Sequence, residues 1–400
     1  MDRARIHEGI RRMRFEDVLG RTERSELSQM EAAELLGVSE RTFRRWRDRH
    51  REEGLTGLAD RRLQPSPRRA PVAEIERMLG LYRDLYRGFT VKHFHEYLAK
   101  RHNYTLGYTV TKLHLHRSGL VSPAKTRSAH RKKRPRRPMV GMMLHQSLPR
   151  TGSGDASTHA WLAGAAGKHD LVVTMEDATS ALYSLFLVDE EGTASSLRGV
   201  REVVEKQGLF CSLYTDRGSH YFETPAAGAR VSKTVLTQFG RALKQLGIEH
   251  IAAYSPQARG RSERVFGTLQ DRLPKELALA GITTVEAAND WLREVYLPDH
   301  NARFAIAAEQ EGSAFVIDTA GAWREILCIQ EERRVGNDNT VKWRGLSLQL
   351  PSSRLRPHFV KATVRVHEYP DSQLAVFWGP HRLADYDAHG AIIQPERQAA

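Results

Sequence analysis

The sequence predicts a multidomain protein with an all-α N-terminal region, a central α/β core on a mixed sheet, and a small β-barrel at the C-terminus. Apolar residues recur at helical spacing before Pro138, short apolar strands alternate with helices beyond it, and alternating leucines occupy the last quarter. A chain of 400 residues fits roughly three or four domains of about 100–150 residues each. We expect a helix-turn-helix domain at 1–62, a second helical unit with a basic linker at 63–138, the core at 139–312 and the β-rich domain at 313–400.

The composition favours a polyanionic partner and excludes several classes of protein. The chain has 61 lysines and arginines against 48 aspartates and glutamates, a formal net charge of +13, and nucleic acid is the obvious partner for such an excess. An anionic membrane is disfavoured because no apolar span or amphipathic anchor is present. The charged segment Met1–Arg14 lacks the apolar stretch of a secretory signal, so we expect a cytoplasmic protein. Two cysteines, Cys211 and Cys328, support neither a disulfide framework nor a cysteine-rich zinc site.

A helix-turn-helix is predicted between residues 28 and 51. Ser28 and Glu31 form a capping-box pattern that opens a first helix through Leu36. A turn containing Gly37 follows, and Ser39 is placed to cap a second helix from Glu40 to about Arg51. Phe43 and Trp46 on one face of the second helix are expected to pack against three apolar residues of the first, Ala32, Leu35 and Leu36.

The second helix carries arginines on its remaining faces, which are Arg41, Arg44, Arg45 and Arg49. Guanidinium groups in this arrangement can enter the major groove of DNA or bind phosphates. The alternative is a charged surface helix of an ordinary helical bundle. The cap, the turn glycine, the apolar spacing and the arginine face occur together, which favours DNA binding.

A second helical unit and a basic linker are predicted before the core. Leu63–Pro71 is a proline-rich linker, Val72–Arg101 has helical spacing, and Thr109–Ser118 resembles an exposed final helix. This unit is either a second DNA-binding module or a plain helical spacer. The run Lys125–Arg137 is expected to follow a phosphate backbone, although a solvated linker would have the same composition. Its candidate DNA contacts are Lys132, Lys133, Arg134, Arg136 and Arg137.

Beyond Pro138 the sequence alternates between strands and helices, which indicates a mixed α/β sheet. The predicted strands are Val140–His145, Leu171–Met175, Leu182–Val188, Leu209–Tyr214 and His250–Tyr254. Two apolar helical stripes separate the later strands, one ending at Val204 and one ending at Leu246. In the last quarter, a Gly336–Asn339 turn and alternating apolar residues predict a β-meander, either a small barrel or a half-open sheet.

Two acids in the core have the surroundings of magnesium ligands. Transfer of a phosphoryl group between DNA strands requires carboxylates that hold two Mg²⁺ ions about 3.5–4 Å apart, and Mg²⁺ prefers oxygen ligands. Asp216 ends an apolar strand and precedes Arg217-Gly218, while Glu263 lies near the start of a helix with apolar Val265 and Leu269. The alternative is that both residues are ordinary surface acids, which would repel DNA. In a chain this basic, metal binding explains acids in these surroundings better.

These segments, Thr215–Tyr221 and Tyr254–Leu273, resemble the integrase-core DDE transposases of bacterial insertion sequences, in particular the ISNCY type. The resemblance extends over nearly the whole chain. It implies a ribonuclease H-like core with one acid on the first strand, one on the fourth strand and a glutamate on the following helix. Asp216 and Glu263 match the second and third of these acids. It also implies a homo-oligomer on DNA and Mg²⁺ as cofactor, with Mn²⁺ as a substitute.

The first acid departs from the family pattern. Family members continue from Leu-His-Gln directly into an aspartate, whereas here the insert Ser147–Gly154 separates Gln146 from Asp155. The residues that follow Asp155 match the family, so the resemblance makes Asp155 the first acid, with the insert looped out of the strand. Asp177 is the rival candidate, and the resemblance makes it a turn residue between the second and third strands. Near these acids, Arg259, Arg261 and Arg264 are candidates for balancing phosphate charge, although Arg259 could instead pair with Glu263.

The resulting hypothesis is a bacterial, nucleoid-associated DNA transposase that cuts transposon ends and transfers them to target double-stranded DNA. Asp155, Asp216 and Glu263 would be both its catalytic residues and its metal ligands. A DNA-binding regulator, or a transposase inactivated by the insert Ser147–Gly154, is the main alternative. A simple nuclease with the same core is a third possibility, and two DNA-binding modules argue against it. The fold alone does not choose among these three functions.

Overall fold

The computed structural model describes residues 3–59, 69–123, 134–147, 160–163, 167–225, 230–232, 234–254, 256–319 and 321–393. The chain divides into two compact units, the first formed by residues 1–87 and 97–120 and the second by residues 88–96 and 121–400. The four-domain division with boundaries at 62, 138 and 312 stays a prediction. In the described part of the chain, no helix combines the length and the apolar character needed to cross a membrane.

The first unit opens with three helices, α1 (Arg3–Glu23), α2 (Gln29–Leu35) and α3 (Glu40–Glu53). The capping box predicted at the start of α2 is confirmed, since the Ser28 and Glu31 side chains each accept the other residue's backbone N–H. Ser39 caps α3 as predicted by accepting the N–H of Thr42. A short 3-10 helix, Gly54–Leu58, follows α3.

The core of these three helices differs in two respects from the prediction. Phe43 is buried as expected, but it packs with Phe15 of α1 and with Ala32 and Ala33 of α2. The expectation that Leu35 packs there is wrong, because it lies on the outer face of α2 and is 47% exposed. Helix α1 is not predicted by the sequence patterns, because charged residues surround its three buried apolar side chains and leave no continuous apolar stripe.

Three further helices follow the 3-10 helix in the chain. They are α4 (Val72–Asp84), α5 (Val91–Arg101) and α6 (Tyr108–Arg117), which confirms the predicted helical segments. The predicted stop after α6 is also confirmed, since Gly119 has a φ of +68° that favours glycine. Most of the proline-rich linker, residues 63–68, lies outside the described residues.

The second unit contains the predicted mixed sheet. Its strands are β1 (Leu144–Ser147), β2 (Asp170–Glu176), β3 (Leu182–Val188), β4 (Ser212–Thr215) and β5 (Glu249–Ala252). The order is β3-β2-β1-β4-β5, with β1, β2 and β3 antiparallel and β1, β4 and β5 parallel. Parallel pairing brings the C-terminal ends of β1 and β4 to the same edge of the sheet.

Helices cover both faces of the sheet, as the two buried apolar clusters of the core show. On one face lie α9 (Pro256–Leu279), α10 (Val285–Trp291), the π-helical turn Leu292–Tyr296 and α11 (Leu297–Phe304), packed mainly on β2 and β3. On the other face lie α7 (Thr193–Gln207), α8 (Gln238–Gln245) and α12 (Trp323–Ile326). This is a three-layered arrangement with the sheet in the middle.

Two strands, β1 and β4, begin later in the chain than predicted. The residues just before each of them pair instead with the segment that follows α11. Val140 forms an isolated bridge with Ser313, and Leu209 forms one with Val316. Gly141 has a φ of +80°, and a Cβ there would lie 2.7 Å from the backbone nitrogen of Phe315. Because of these non-local contacts, the regular strand pairing begins only at Leu144 in β1 and at Ser212 in β4.

The C-terminal part is an open antiparallel sheet and a separate hairpin. The sheet has the order β12-β11-β10-β9-β6, and β7 pairs with β8. The strands are β6 (Ile329–Arg334), β7 (Thr340–Trp343), β8 (Leu346–Gln349), β9 (Thr363–Glu368), β10 (Leu374–Trp378), β11 (His381–Tyr386) and β12 (Ile392–Ile393). Of the two arrangements predicted from the sequence, the small barrel is wrong for the described residues, which form the open sheet instead. The hairpin and the sheet share one apolar core, so burial is achieved without closure.

Candidate functional site

Asp216 lies immediately after β4, at the edge where β1 and β4 end. Its Oδ1 accepts the backbone N–H of Gly218 at 2.9 Å. A Cβ at Gly218 would lie 3.1 Å from Asp216 Oδ1 and 2.9 Å from Cε1 of His220. A residue without a side chain fits this approach best, and the N–H bond of Gly218 orients the carboxylate of Asp216.

A second acid, Glu191, approaches Asp216 from the loop between β3 and α7. Its Oε1 lies 3.1 Å from Nε2 of His220. Burial raises the pKa of Glu191, the nearby His220 lowers it, and the negative charge of Asp216 raises it further. The backbone N–H of Glu191 is fixed by Asp170 Oδ2 at 2.8 Å. Sequence reasoning missed Glu191, because nothing local in the Asp189–Gly192 loop links it to residues 216–220.

The register between β1 and β4 defines where a first acid would have to lie. Leu144 is paired with Leu213 and His145 with Tyr214, so continuing the parallel register by two residues brings the strand position of Ser147 level with Asp216. Ser147 is still within β1, where it pairs with Val173 of β2. Asp155 and the rest of the insert, residues 148–154, lie outside the described residues. The strand therefore reaches the level of Asp216 at the first residue of the insert.

Glu263 lies on α9, as predicted, and is exposed. The helix is held on the sheet by a buried apolar stripe that begins one turn later, at Phe266, and continues through Leu269, Leu273 and Leu277. Val265, which the sequence placed in this stripe, is partly buried at its margin. Glu263 is therefore on the polar side of a helix whose opposite side is packed.

Asp177 lies in the turn after β2, is 0% exposed and is bonded on both carboxylate oxygens. Its Oδ1 accepts from guanidinium groups of Arg134 and Arg261 and, at 2.7 Å, from Nε2–H of His145. Its Oδ2 accepts the backbone N–H of Arg137 at 2.8 Å. We call Asp177, Arg134, Arg261 and His145 the Asp177 cluster.

The electrostatics of this cluster do not suit a metal ligand. Burial alone would raise the pKa of Asp177, but the hydrogen bonds from His145 and Arg137 and the charge of Arg261 hold it below its usual range. Burial lowers the pKa of His145 itself, while its hydrogen bond to Asp177 raises it. Asp177 is thus an anion neutralised by two arginines of this chain, which supports its interpretation as a turn residue rather than as the rival first acid.

The candidate DNA-contacting residues fall into three groups. Arg41, Arg44, Arg45, Arg137 and Arg264 are exposed, and Arg49 is partly exposed. Arg134, Arg136 and Arg261 contact the protein itself, with Arg136 Nη1 bonded to the carbonyls of Asp177 and Ala178 at 2.9 and 3.0 Å. Lys132, Lys133 and the side chain of Arg259 lie outside the described residues. Their roles toward DNA stay predictions.

Asp216 and Glu263 carry the type of donor that Mg²⁺ prefers. Asp216 and Glu263 offer hard carboxylate oxygens, and Asp216 lies at a sheet edge beside exposed Arg217. Among the residues that the structure describes, no group of three or more His, Cys, Asp or Glu side chains is arranged to hold a metal ion. The third donor predicted from the sequence, Asp155, is not among those residues.

Comparisons with known proteins identify similar chains. Residues 21–75 match the family model described as "Winged helix-turn helix". The chain is 29% identical to "Putative transposase y4bF" of Sinorhizobium fredii over 95% of this chain and 83% of that protein. It is 27% identical to "Transposase for insertion sequence IS1202" of Streptococcus pneumoniae over 67% of this chain and 63% of that protein. Among solved structures, the HTLV-2 integrase catalytic core domain in complex with magnesium aligns over 38% of this chain and 85% of that chain, with 15% identity and a TM-score of 0.28.

Proposed function

We propose that this chain is a DNA transposase of the integrase-core DDE type, similar to the ISNCY insertion sequences. It cuts DNA at transposon ends and joins the cut ends to target DNA. The observation that carries this proposal is the sheet edge where Asp216 follows β4, level with the end of β1, with α9 and Glu263 on the same core. The strand order of the sheet, three antiparallel strands followed by two parallel ones, supports a ribonuclease H-like core.

Two further observations support the proposal. The N-terminal helices match a winged helix-turn-helix model, and α3 presents exposed arginines suited to DNA. Two curated relatives are named as transposases, one of them similar over 95% of this chain. Because strand transfer joins two ends to one target, the active form is proposed to be a homo-oligomer on double-stranded DNA in the bacterial nucleoid.

In the proposed mechanism, Asp155, Asp216 and Glu263 would hold two Mg²⁺ ions, with Mn²⁺ as a substitute. These ions would supply Lewis-acid chemistry toward the phosphate that is cut and toward the attacking oxygen. The chain's own residues prepare the site. The backbone N–H of Gly218 orients Asp216, and the exposed guanidinium groups of Arg217 and Arg264 offset phosphate charge.

One observation favours a second candidate function, a DNA-binding protein that no longer cuts. Strand β1 reaches the level of Asp216 at Ser147, where the insert begins, so this strand position lacks an acid. If Asp155 does not return to the sheet edge, the metal site has two donors and the chain retains only DNA binding. The proposed transposase requires Asp155 to return.

The test is Mg²⁺-dependent cleavage and strand transfer on labelled DNA carrying the ends of the encoding element. The variants are Asp155→Ala, Asp216→Ala, Glu263→Ala and a deletion of Ser147–Gly154, with Glu309→Ala as an exposed-acid control. The proposal predicts that the native chain and the control cut and join DNA, while the three alanine variants of the triad bind the ends without cutting. A native chain that binds the ends but cuts only after the deletion would establish the DNA-binding alternative.

A further inference from the structure

We infer that Asp177 is a positioning residue for DNA cleavage, which fixes the part of α9 that carries Glu263 relative to β1. This inference rests on the proposed function, because it assigns Asp177 a role in the same metal-dependent reaction. It does not make Asp177 a metal ligand, since both of its carboxylate oxygens are bonded to groups of the protein.

The part of α9 that carries Glu263 has little apolar anchoring. Helix α9 begins at Pro256, so Glu263 lies about two turns inside it. The fully buried apolar residues that hold the helix to β2 and β3 begin only at Phe266, so Glu263 lies ahead of the packed part. In this stretch Ser262 is buried and Arg261 reaches back to the protein. The bonds of Arg261 therefore restrain the turn that carries Glu263.

Arg261 binds two separate parts of the core at once. One terminal nitrogen donates to Asp177 Oδ1, and the other donates to the carbonyl of Arg134 at 3.1 Å. A planar guanidinium with two partners fixes orientation better than a single charge contact does. Arg134 in turn donates to Asp177 Oδ1. The Asp177 cluster thus joins α9, the end of the basic linker and the turn after β2.

The same cluster reaches the strand that leads to the proposed site. His145 of β1 donates to Asp177 Oδ1 at 2.7 Å and lies beside Tyr214 of β4, with ring centroids 5.2 Å apart. Two residues further along these strands are Ser147 and Asp216, a distance of roughly 7 Å along a strand. Arg261 of α9 is bonded to Asp177, and Asp177 is bonded to His145. His145 lies two residues before the strand position that is level with Asp216.

The burial of the cluster argues for a role beyond stability. Replacing a buried ion pair by apolar residues of similar volume is often neutral or stabilising, so stability alone does not explain a carboxylate with 0% exposure. In contrast, the hydrogen bonds that Asp177 accepts from α9, from the basic linker and from β1 fix the position of these three segments relative to one another. Catalysis on phosphate is sensitive to displacements of about 1 Å in its positioned groups.

The experiment compares Asp177→Asn and Arg261→Gln with Arg293→Gln, a control in an exposed ion pair with Asp290. Asp177→Asn leaves two arginines without their anion and is the harsher change. Arg261→Gln leaves Asp177 bonded to Arg134, His145 and the Arg137 backbone, so it tests the same link if the first variant fails to fold. Each variant is measured by amide hydrogen exchange along α9 and by cleavage as a function of Mg²⁺ concentration.

For Arg261→Gln we expect exchange of the amides of Ser262–Val265 to rise about tenfold, the effect of losing roughly one net hydrogen bond. The amides of Leu269–Leu277 should be unchanged. The Mg²⁺ concentration for half-maximal cleavage should rise several-fold in Arg261→Gln and should not change in Arg293→Gln. A structural role alone would lower the melting temperature without moving the Mg²⁺ requirement.

Two results overturn the inference, and they differ from failure of the proposed function. Unchanged exchange at Ser262–Val265 shows that the cluster does not restrain this part of α9. Faster exchange with an unchanged Mg²⁺ requirement shows that the restraint does not matter for Glu263. If the native chain and Arg293→Gln both fail to cut DNA at any Mg²⁺ concentration, the proposed function is wrong and the positioning role is excluded with it, whatever the exchange shows.

Discussion

His145 and Tyr214 are partners in the parallel β1–β4 pair, and their rings meet at a centroid distance of 5.2 Å. This register places the strand position of Ser147 level with Asp216, so the insert Ser147–Gly154 begins where a first acid would have to lie. Deleting the insert would place Asp155 directly after Gln146, at that level.

The deletion of Ser147–Gly154 is therefore predicted to retain or increase Mg²⁺-dependent cleavage, and adding Asp155→Ala to it should abolish cleavage. The measurement is single-turnover cutting of end DNA by the native chain, the deletion variant and the combined variant. Cleavage by the combined variant at the level of the deletion variant would show that Asp155 is not the first acid.

Gly218→Ala is predicted to weaken metal binding at Asp216. An added Cβ would lie 3.1 Å from Asp216 Oδ1 and 2.9 Å from His220 Cε1, so the carboxylate and its Gly218 N–H bond must shift. We expect the Mg²⁺ concentration for half-maximal cleavage to rise by about tenfold, corresponding to roughly 1.4 kcal/mol. Gly80→Ala, on α4 with nothing within 4 Å of the added Cβ, is the control. Equal Mg²⁺ dependence in both variants would contradict this account of Gly218.

Two helical glycines should respond in opposite directions to substitution by alanine. A Cβ at Gly199 of α7 would lie 2.4 Å from Nε2 of Gln146, which bonds the carbonyl of Ser196 at 3.0 Å. Gly199→Ala is therefore expected to lower the free energy of unfolding by about 1–3 kcal/mol through overpacking. Gly267→Ala on α9 meets nothing within 4 Å and should raise it by roughly 0.5–1 kcal/mol. Urea unfolding of both variants checks the signs, and a stabilised Gly199→Ala would contradict the packing of α7 on β1.

His300 should make the protein less stable in mild acid. Burial and the charge of Arg272 lower its pKa to about 4, while an unfolded histidine has a pKa near 6.5. The unfolded chain therefore binds an extra proton below about pH 6.5, and this stability contribution is complete above 6.5 and lost as the pH falls toward 4. The slope from one such group is up to about 1.4 kcal/mol per pH unit. His300→Gln should flatten the fall of the free energy of unfolding between pH 6.5 and 4, and the exposed His389→Gln should not. An unchanged slope in His300→Gln would contradict the prediction.

The exposed arginines of α3 should contribute to DNA affinity through phosphate charge or base contact. Arg44→Ala is predicted to weaken binding of end DNA, whereas Arg293→Ala, in an exposed ion pair on another part of the chain, should not. If Arg44 contacts a phosphate, the slope of log affinity against log salt should decrease by about 0.9. Loss of affinity only for the correct end sequence, at an unchanged slope, would indicate base contact instead. Equal affinity of both variants would contradict a DNA-binding role for Arg44.

Local signals in the sequence predicted much of the fold. The Ser28–Glu31 capping box, the Ser39 cap and the Gly119 stop depend on residues a few positions apart, and all three are confirmed. Alternation of apolar strands and helices likewise predicted the mixed sheet. Helix α1 was missed because its buried face consists of few residues among many charged ones.

Features that depend on distant residues were not predictable in this way. The starts of β1 and β4 shift because Val140 and Leu209 pair with residues beyond position 312. Glu191 joins the site through His220, and Asp177 holds Arg261, which is 84 residues later in the chain. The C-terminal sheet stays open because the β7–β8 hairpin covers its apolar side. The sequence pattern selected Asp216 and Glu263 as candidate metal ligands. It did not predict the contacts of the residues around them.

The most direct test of the central claim is single-turnover cleavage of end DNA by the native chain, Asp216→Asn and Glu263→Gln, each with Mg²⁺ and with excess EDTA. The account predicts that the native chain cuts with Mg²⁺ and stops with EDTA, and that both nearly isosteric variants bind the ends with native affinity but cut at least about a thousandfold more slowly. Cleavage by either variant at the native rate, or by the native chain in EDTA, would contradict it.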